Sequence, residues 1–186
     1  MKRVFDVTIG FLLFSLLAIP TFLVAFAVRF SSKGPVIYWS DRVGRENKIF
    51  KMPKFRTMRI DAPVVATHLL SDPDAFLSPI GGFLRRTSLD ELPQLWSILK
   101  GDMSFVGPRP ALYNQNDLIA LRSAQGVDRL LPGLTGWAQI NGRDEVTIQK
   151  KVELDVEYLN NISFFFDLKI IYLTFIKTLR GVGISH

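Results

Sequence analysis

Apolar residues gather first in an unbroken block from Val7 to Val28, where Phe, Leu, Ile, Val and Ala dominate and no charge occurs. A helix built from it is apolar all round, with no single stripe to turn toward a core. At about 1.5 Å per residue, a straight helix of this length reaches the roughly 30 Å of a bilayer core. Pro20 interrupts it, because an internal proline removes a donor and pushes against the carbonyl one turn earlier. Lys2 and Arg3 precede the block; Arg29 and Lys33 follow it. A helix that enters, turns at Pro20 and returns keeps both basic flanks on one membrane face, so a re-entrant hairpin ranks above a spanning anchor. A cleaved signal peptide ending at Ala25-Phe26-Ala27 ranks third, because Asp6 interrupts its basic start and the apolar stretch is long.

After Gly34-Pro35 the pattern becomes mixed, which separates a hairpin of residues 1–34 from a second domain of residues 35–186. Val36 to Trp39 and Ile49 to Phe55 read as short strands, the second an edge strand because of Pro53. Asp61 to Pro79, with three prolines, predicts a loop with a short helical piece. Leu92, Leu95, Trp96 and Leu99 recur at the spacing of a helix face over Leu89 to Leu99, and Gly101 suits the helix end. Two more helices are expected over Ala111 to Ala124 and Val146 to Asn160. A last helix, Phe164 to Leu179, is rich in aromatics and edged by Lys169, Lys177 and Arg180, which fits a core helix or one lying at a lipid headgroup surface; beside a membrane hairpin the second is the more economical reading. The pattern predicts an α+β chain, mostly helical, with short strands.

Composition narrows the chemistry. The 186 residues include no Cys and two His, which excludes thiolate sites, disulfides and a His-rich zinc site, so a metal must sit on oxygen ligands. The net charge of +6 points to an anionic partner. Nucleic acid fits poorly, because the aromatics cluster with aliphatic residues instead of alternating with cations.

Asp90 and Glu91 are adjacent carboxylates that follow Arg85 and Arg86. Side chains one residue apart on a helix point about 100° apart, so the two share a site only where a first turn opens onto it. Pro93 belongs in a first turn, and Ser88 to Glu91 fits a capping box; the free amides there favour an ionised Asp90 and a nearby phosphate. Arg109 lies between Pro108 and Pro110, a setting that pre-organises a guanidinium suited to clamping phosphate. Lys54 and Arg56 fall in the acid-free run Lys48 to Arg59 and could share one side of an extended segment. The glycines between Leu131 and Arg143 allow close backbone approach to a ligand, or serve tight turns. An acidic pair able to hold Mg2+, several cations and a membrane segment together point to phosphoryl chemistry on a lipid. No P-loop or Gly-x-Gly-x-x-Gly motif is present. The rival reading is a non-catalytic membrane protein whose basic surface binds anionic lipid.

Five stretches in order carry a resemblance: Lys2 to Asp6, Phe50 to Met58, Ser88 to Gln94, Lys100 to Pro110 and Pro132 to Arg143. Over nearly its whole length the chain resembles the monotopic phosphoglycosyl transferases, the bacterial sugar transferase family, in a minimal form close to the catalytic core. The resemblance implies transfer of a sugar 1-phosphate from a UDP-sugar to polyprenyl phosphate, such as undecaprenyl phosphate, releasing UMP and starting glycan assembly at the cytoplasmic face of the bacterial inner membrane. It implies that Asp90 is the nucleophile that carries the phosphosugar, that Glu91 helps activate the lipid phosphate, and that Mg2+ is held near Asp90. Lys54, Arg56, Arg85, Arg109 and Arg143 are the expected phosphate contacts, Pro20 the expected helix break, and a homodimer is compatible with the family. One departure stands out: Ile19 occupies the place where relatives often carry Ser, whose hydroxyl satisfies backbone groups freed by the proline; Ser15 or Thr21 is the substitute at hand.

Overall fold

A computed structural model describes residues 1–62, 74–142 and 146–180. Helix α1 (Lys2–Leu16) runs into α2 (Ala18–Ser31) through a bend of 61° at Leu17. The break thus falls one turn before Pro20, not at it. Pro20 is the third residue of α2, where a missing N–H is tolerated, and the carbonyl it deprives is that of Leu16. Among the described residues, no hydrogen bond from the Ser15 or Thr21 hydroxyl spans the break, so neither substitutes for the absent serine. Among the described residues no single helix is long and apolar enough to cross a membrane; the bent pair meets that test only jointly.

Helix α1 is fastened to the rest of the molecule by its polar residues. Lys2 donates to Asp167 (2.6 Å) and to the Tyr158 hydroxyl (2.8 Å), and Arg3 donates to the Ile98 and Leu99 carbonyls. Asp6, fully buried, accepts from Ser104 Oγ and from the Phe105 amide, each at 3.1 Å. Gly10 lets α1 lie close to a later helix: a Cβ there would stand 3.1 Å from Leu99. The outer faces of the pair stay apolar and exposed, with Phe11, Phe14, Phe22, Phe26 and Phe30 among them.

Strands β1 (Ile37–Val43) and β2 (Ile49–Phe55) form an antiparallel hairpin in register Ile37 to Phe55, closed by a tight turn in which Glu46 and Asn47 take positive φ. Strand β1 runs past the expected Trp39 to Val43, because pairing with β2 supports its polar half. Pro53 stands opposite Trp39 in a two-stranded sheet, where no further neighbour asks for its missing donor. Helices α3 (Gly81–Arg86) and α4 (Gln94–Lys100) follow, then β3 (Ser104–Val106), α5 (Asn116–Ala124), β4 (Gly133–Thr135), α6 (Trp137–Ile140), α7 (Ile148–Asn160) and α8 (Phe164–Arg180). The expected helix from Ala111 starts only at Asn116, since Ala111 accepts from the Val43 amide and Leu112 bridges to Arg42. Residues 63–73 of the expected loop lie outside the described residues; its helical piece is a 3-10 turn at Asp74–Phe76.

Strands β3 and β4 pair in parallel, Ser104 to Gly133 and Val106 to Thr135, across the α5 crossover. The glycines of the 131–136 stretch serve this approach of backbone to backbone. A Cβ on Gly133 would lie 2.1 Å from the Gly107 amide nitrogen, and one on Gly136 2.1 Å from the Gly107 carbonyl. The core gathers Leu95, Ile98, Met103, Phe105, Val106, Tyr158 and Ile170, with Phe5, Ile9 and Leu13 of α1 packed on it. On α8, Phe165, Leu168, Tyr172 and Phe175 form an exposed stripe at helical spacing. Two of its expected edge cations, though exposed, fold back onto α6: Lys177 donates to the Ile140 carbonyl, and Lys169 sits over the Trp137 ring.

Candidate active site

The acidic pair sits in a 3-10 turn, Leu89–Glu91, that precedes α4. This differs from the capping box expected at Ser88. Ser88 adopts a left-handed conformation (φ 56°) and its hydroxyl caps nothing; α4 begins only after Pro93. The tighter 3-10 winding shifts the phase of the following turn, so Leu95 and Ile98 face the core while Trp96 is exposed. A non-glycine residue held at positive φ two positions before a buried carboxylate is the kind of strain that collects at working sites.

Asp90 is 8% exposed. Its environment opposes the ionisation that a helix start favours: burial pushes its carboxyl above the usual range and the Glu91 charge adds to this, while Lys54, Arg85 and Arg109 pull it back down. No described side chain hydrogen-bonds the Asp90 carboxylate. Glu91, by contrast, is engaged. Lys54 Nζ lies 2.9 Å from its Oε1 in a largely buried pair, and Arg109 Nη2 lies 3.6 Å from the same oxygen.

Each cation arrives on a different element. Lys54 projects from β2 opposite Tyr38. Arg85 lies in the last turn of α3 and its Nε donates to Thr57 Oγ1 (3.0 Å), and α3 is set against that same residue, since a Cβ on Gly81 would meet the Thr57 carbonyl at 2.0 Å. Arg109 comes from the Pro108-Arg109-Pro110 turn and is partly exposed. The fold thus brings Asp90, Glu91, Lys54, Arg85 and Arg109 together.

Arg56 goes elsewhere. It is buried against the end of α2, donating through Nη2 to the Ser32 carbonyl (2.8 Å) and Oγ (2.9 Å), with Nε and Nη1 unpartnered. Burial, with the Arg29 charge nearby, depresses its pKa. The shared face expected for Lys54 and Arg56 is therefore not realised: past Phe55 the chain leaves the ladder and Arg56 ties β2 to α2. Arg143 lies outside the described residues. Thr57, Arg42, Arg122 and Asp155 were not singled out from the sequence; each makes its contact across the fold and carries no local signal.

Among the described residues no group of three or more acidic, His or Cys side chains could cage a metal. Mg2+ needs no such cage, since it takes one or two carboxylates plus substrate phosphates and retained water. The Asp90 carboxylate fits that donor set.

A buried carboxylate with three cations converging on it defines a site for chemistry on phosphate esters, carried by an α+β domain behind a bent apolar helix pair. Comparison with known proteins agrees: residues 1–181 match the bacterial sugar transferase family, and the chain belongs to it. The sugar transferase EpsL of Bacillus subtilis is 42% identical over the whole chain and 91% of its own length. A UDP-glucose:undecaprenyl-phosphate glucose-1-phosphate transferase of Escherichia coli is 40% identical over 95% of this chain, and the galactosyl transferase CpsE of Streptococcus agalactiae is 40% identical over 98%. The chain spans 40% and 43% of the length of these last two.

Proposed function

We propose that this protein moves a sugar 1-phosphate from a UDP-sugar to a polyprenyl phosphate in two displacements at one phosphorus. In the first, an Asp90 oxygen attacks the sugar-bearing phosphorus; the bond to the bridging oxygen breaks and UMP leaves with that oxygen and its electron pair. In the second, a phosphate oxygen of the lipid attacks the same phosphorus and Asp90 departs as carboxylate, leaving polyprenyl-diphosphate-sugar. The observation that carries this reading is the contrast between the two acids. Asp90 is buried and no described side chain hydrogen-bonds its carboxylate, which leaves an oxygen open to attack phosphorus, whereas Glu91 is held by Lys54 and Arg109.

Lys54, Arg85 and Arg109 supply the positive field that a diphosphate requires, and the field also lowers the cost of ionising Asp90. When phosphate draws Lys54 and Arg109 to itself, the Glu91 carboxylate loses two cation partners beside the incoming lipid headgroup. Mg2+, held by Asp90 when bound, would neutralise the diphosphate and stabilise the departing UMP.

The same reading places the site at the cytoplasmic face of the bacterial inner membrane. At about 1.5 Å per residue the arms α1 and α2 measure roughly 22 and 21 Å. With a 61° bend and both ends at one surface, the elbow sinks about 11 Å, within a single leaflet. The exposed aromatic stripe of α8 adds apolar area beside that wedge. Two relatives named for glucose and for galactose stand at equal identity, so identity does not choose the sugar.

The test uses the purified protein in lipid nanodiscs with undecaprenyl phosphate and a panel of UDP-sugars. Wild type should release UMP, and with donor alone its intact mass should rise by one sugar phosphate. Asp90→Asn should do neither. UMP release at the wild-type rate from Asp90→Asn would remove Asp90 from the reaction, and no release from wild type would leave a basic surface that merely binds anionic lipid.

A further inference from the structure

Arg109 reaches the site from a turn that has little means of holding itself in place. Pro108 and Pro110 have no N–H, so the three residues share one backbone donor. Their carbonyls are all taken. Pro108 O accepts from the Gly133 amide (2.9 Å), Arg109 O from Arg122 Nη1 (2.8 Å) and Pro110 O from Arg42 Nη1 (3.2 Å). Arg122, on α5, is buried, and its other edge is fixed by Asp155 of α7. Its Nε and Nη2 lie 2.9 and 2.6 Å from Asp155 Oδ2.

Resting on the reaction above, we propose that the buried Arg122–Asp155 pair positions Arg109: Asp155 orients the guanidinium so that its remaining donor holds the Arg109 carbonyl, and with it the side chain that meets Glu91 and the donor phosphates. A buried pair of this kind is a poor stability device, because desolvation offsets the attraction. Burial does push the Asp155 carboxyl upward against the pull of Arg122. What the pair supplies is direction. A guanidinium has donors on two edges and serves a carboxylate and a carbonyl at once, which an ammonium on a flexible stem does not do in a fixed geometry.

The experiment is a cycle of variants read by kcat/KM on the UDP-sugar that wild type turns over, with unfolding temperature measured for each. Arg122→Met/Asp155→Leu removes both charges together and keeps the volume apolar, so it should melt within a few degrees of wild type. Its kcat/KM should fall about tenfold to a hundredfold, the loss that a displacement on the order of 1 Å brings. In an Arg109→Ala background the same pair of changes should cost less than about twofold, because the residue it positions is gone. Equal losses in both backgrounds, or no loss in either, overturn the proposal. If the paired change does not fold, Arg122→Lys is read in the same two backgrounds by the same criterion. Failure of the underlying reaction has a different signature: wild type itself releases no UMP, or Asp90→Asn releases it as fast.

Discussion

Replacing Asp6 by alanine should loosen α1 from β3 without substituting any residue around Asp90. In the intact protein one Asp6 oxygen accepts from Ser104 Oγ and from the Phe105 amide, each at 3.1 Å and fully buried. Alanine removes the acceptor from both, and a buried donor left without a partner costs about 1–3 kcal/mol. The Ser104 hydroxyl can rotate, but the amide cannot, so the sum comes to about 2–4 kcal/mol. Alanine's better helix propensity returns about 0.5 kcal/mol. At about 2–4 °C per kcal/mol for a chain of this size, the melting temperature should fall by roughly 3–14 °C. Asp6→Asn keeps an acceptor in place of Oδ1 and sets its amide where Oδ2 has no partner today, so its loss should be less than about half as large. Thermal unfolding in detergent, followed by near-ultraviolet circular dichroism, separates the two. An alanine variant that melts within about 1 °C of wild type, or an asparagine variant as damaged as alanine, refutes the idea that this carboxylate fastens the helix pair.

Because burial raises the Asp90 carboxyl, protonation favours the folded state. The contribution is full below the ordinary carboxylate range and is lost as pH rises through the raised value. Asp90→Asn should therefore match or exceed wild-type stability at neutral pH while abolishing UMP release, with the gap between their melting temperatures widening as pH rises from acid; the acid limb of wild-type kcat/KM should also lie above the ordinary carboxylate range. Lys54→Met removes the 2.9 Å ion pair with Glu91 and should cost about 2 kcal/mol, between a surface and a fully buried pair, with more than half recovered in Lys54→Met/Glu91→Gln by denaturant unfolding. Gly133→Ala would press a Cβ onto backbone atoms at 2.1 and 2.3 Å and should destabilise by about 3 kcal/mol or more, whereas Gly82→Ala, with its nearest contacts at 3.6 Å, should be neutral or gain up to about 1 kcal/mol on melting.

What could be read from the chain was what depends on neighbours in sequence. The apolar block and its basic flanks announce α1 and α2; Thr147, whose hydroxyl accepts from the Lys150 amide, marks the start of α7 two residues inside the expected boundary. The acidic pair and the Pro-Arg-Pro turn were legible as a site because residue type and spacing already limit their chemistry. The rest depends on partners far along the chain. Strands β3 and β4 are three residues each, too short for any alternation to show, and Gly133 is explained only by Gly107 lying across from it. Arg56 looks like a partner of Lys54 by spacing, yet the end of α2 supplies its acceptors. The 3-10 winding at Leu89–Glu91 hides behind a sequence that also fits a capped α-helix.

Those long-range contacts converge on β3. Its first two residues hold Asp6 of α1, its last residue leads through Gly107 into the turn that presents Arg109, and its neighbour β4 receives the Pro108 carbonyl. All three of its residues are buried, although a strand this short contributes little pairing of its own. Its burial follows from position: the bent helix pair is fastened at one end of the strand and the turn that carries Arg109 departs from the other. A strain that lifts α1 away from Phe105 therefore reaches Arg109 through three residues, Val106, Gly107 and Pro108. By this geometry, seating of the helix pair and alignment of the site depend on the same short piece of backbone.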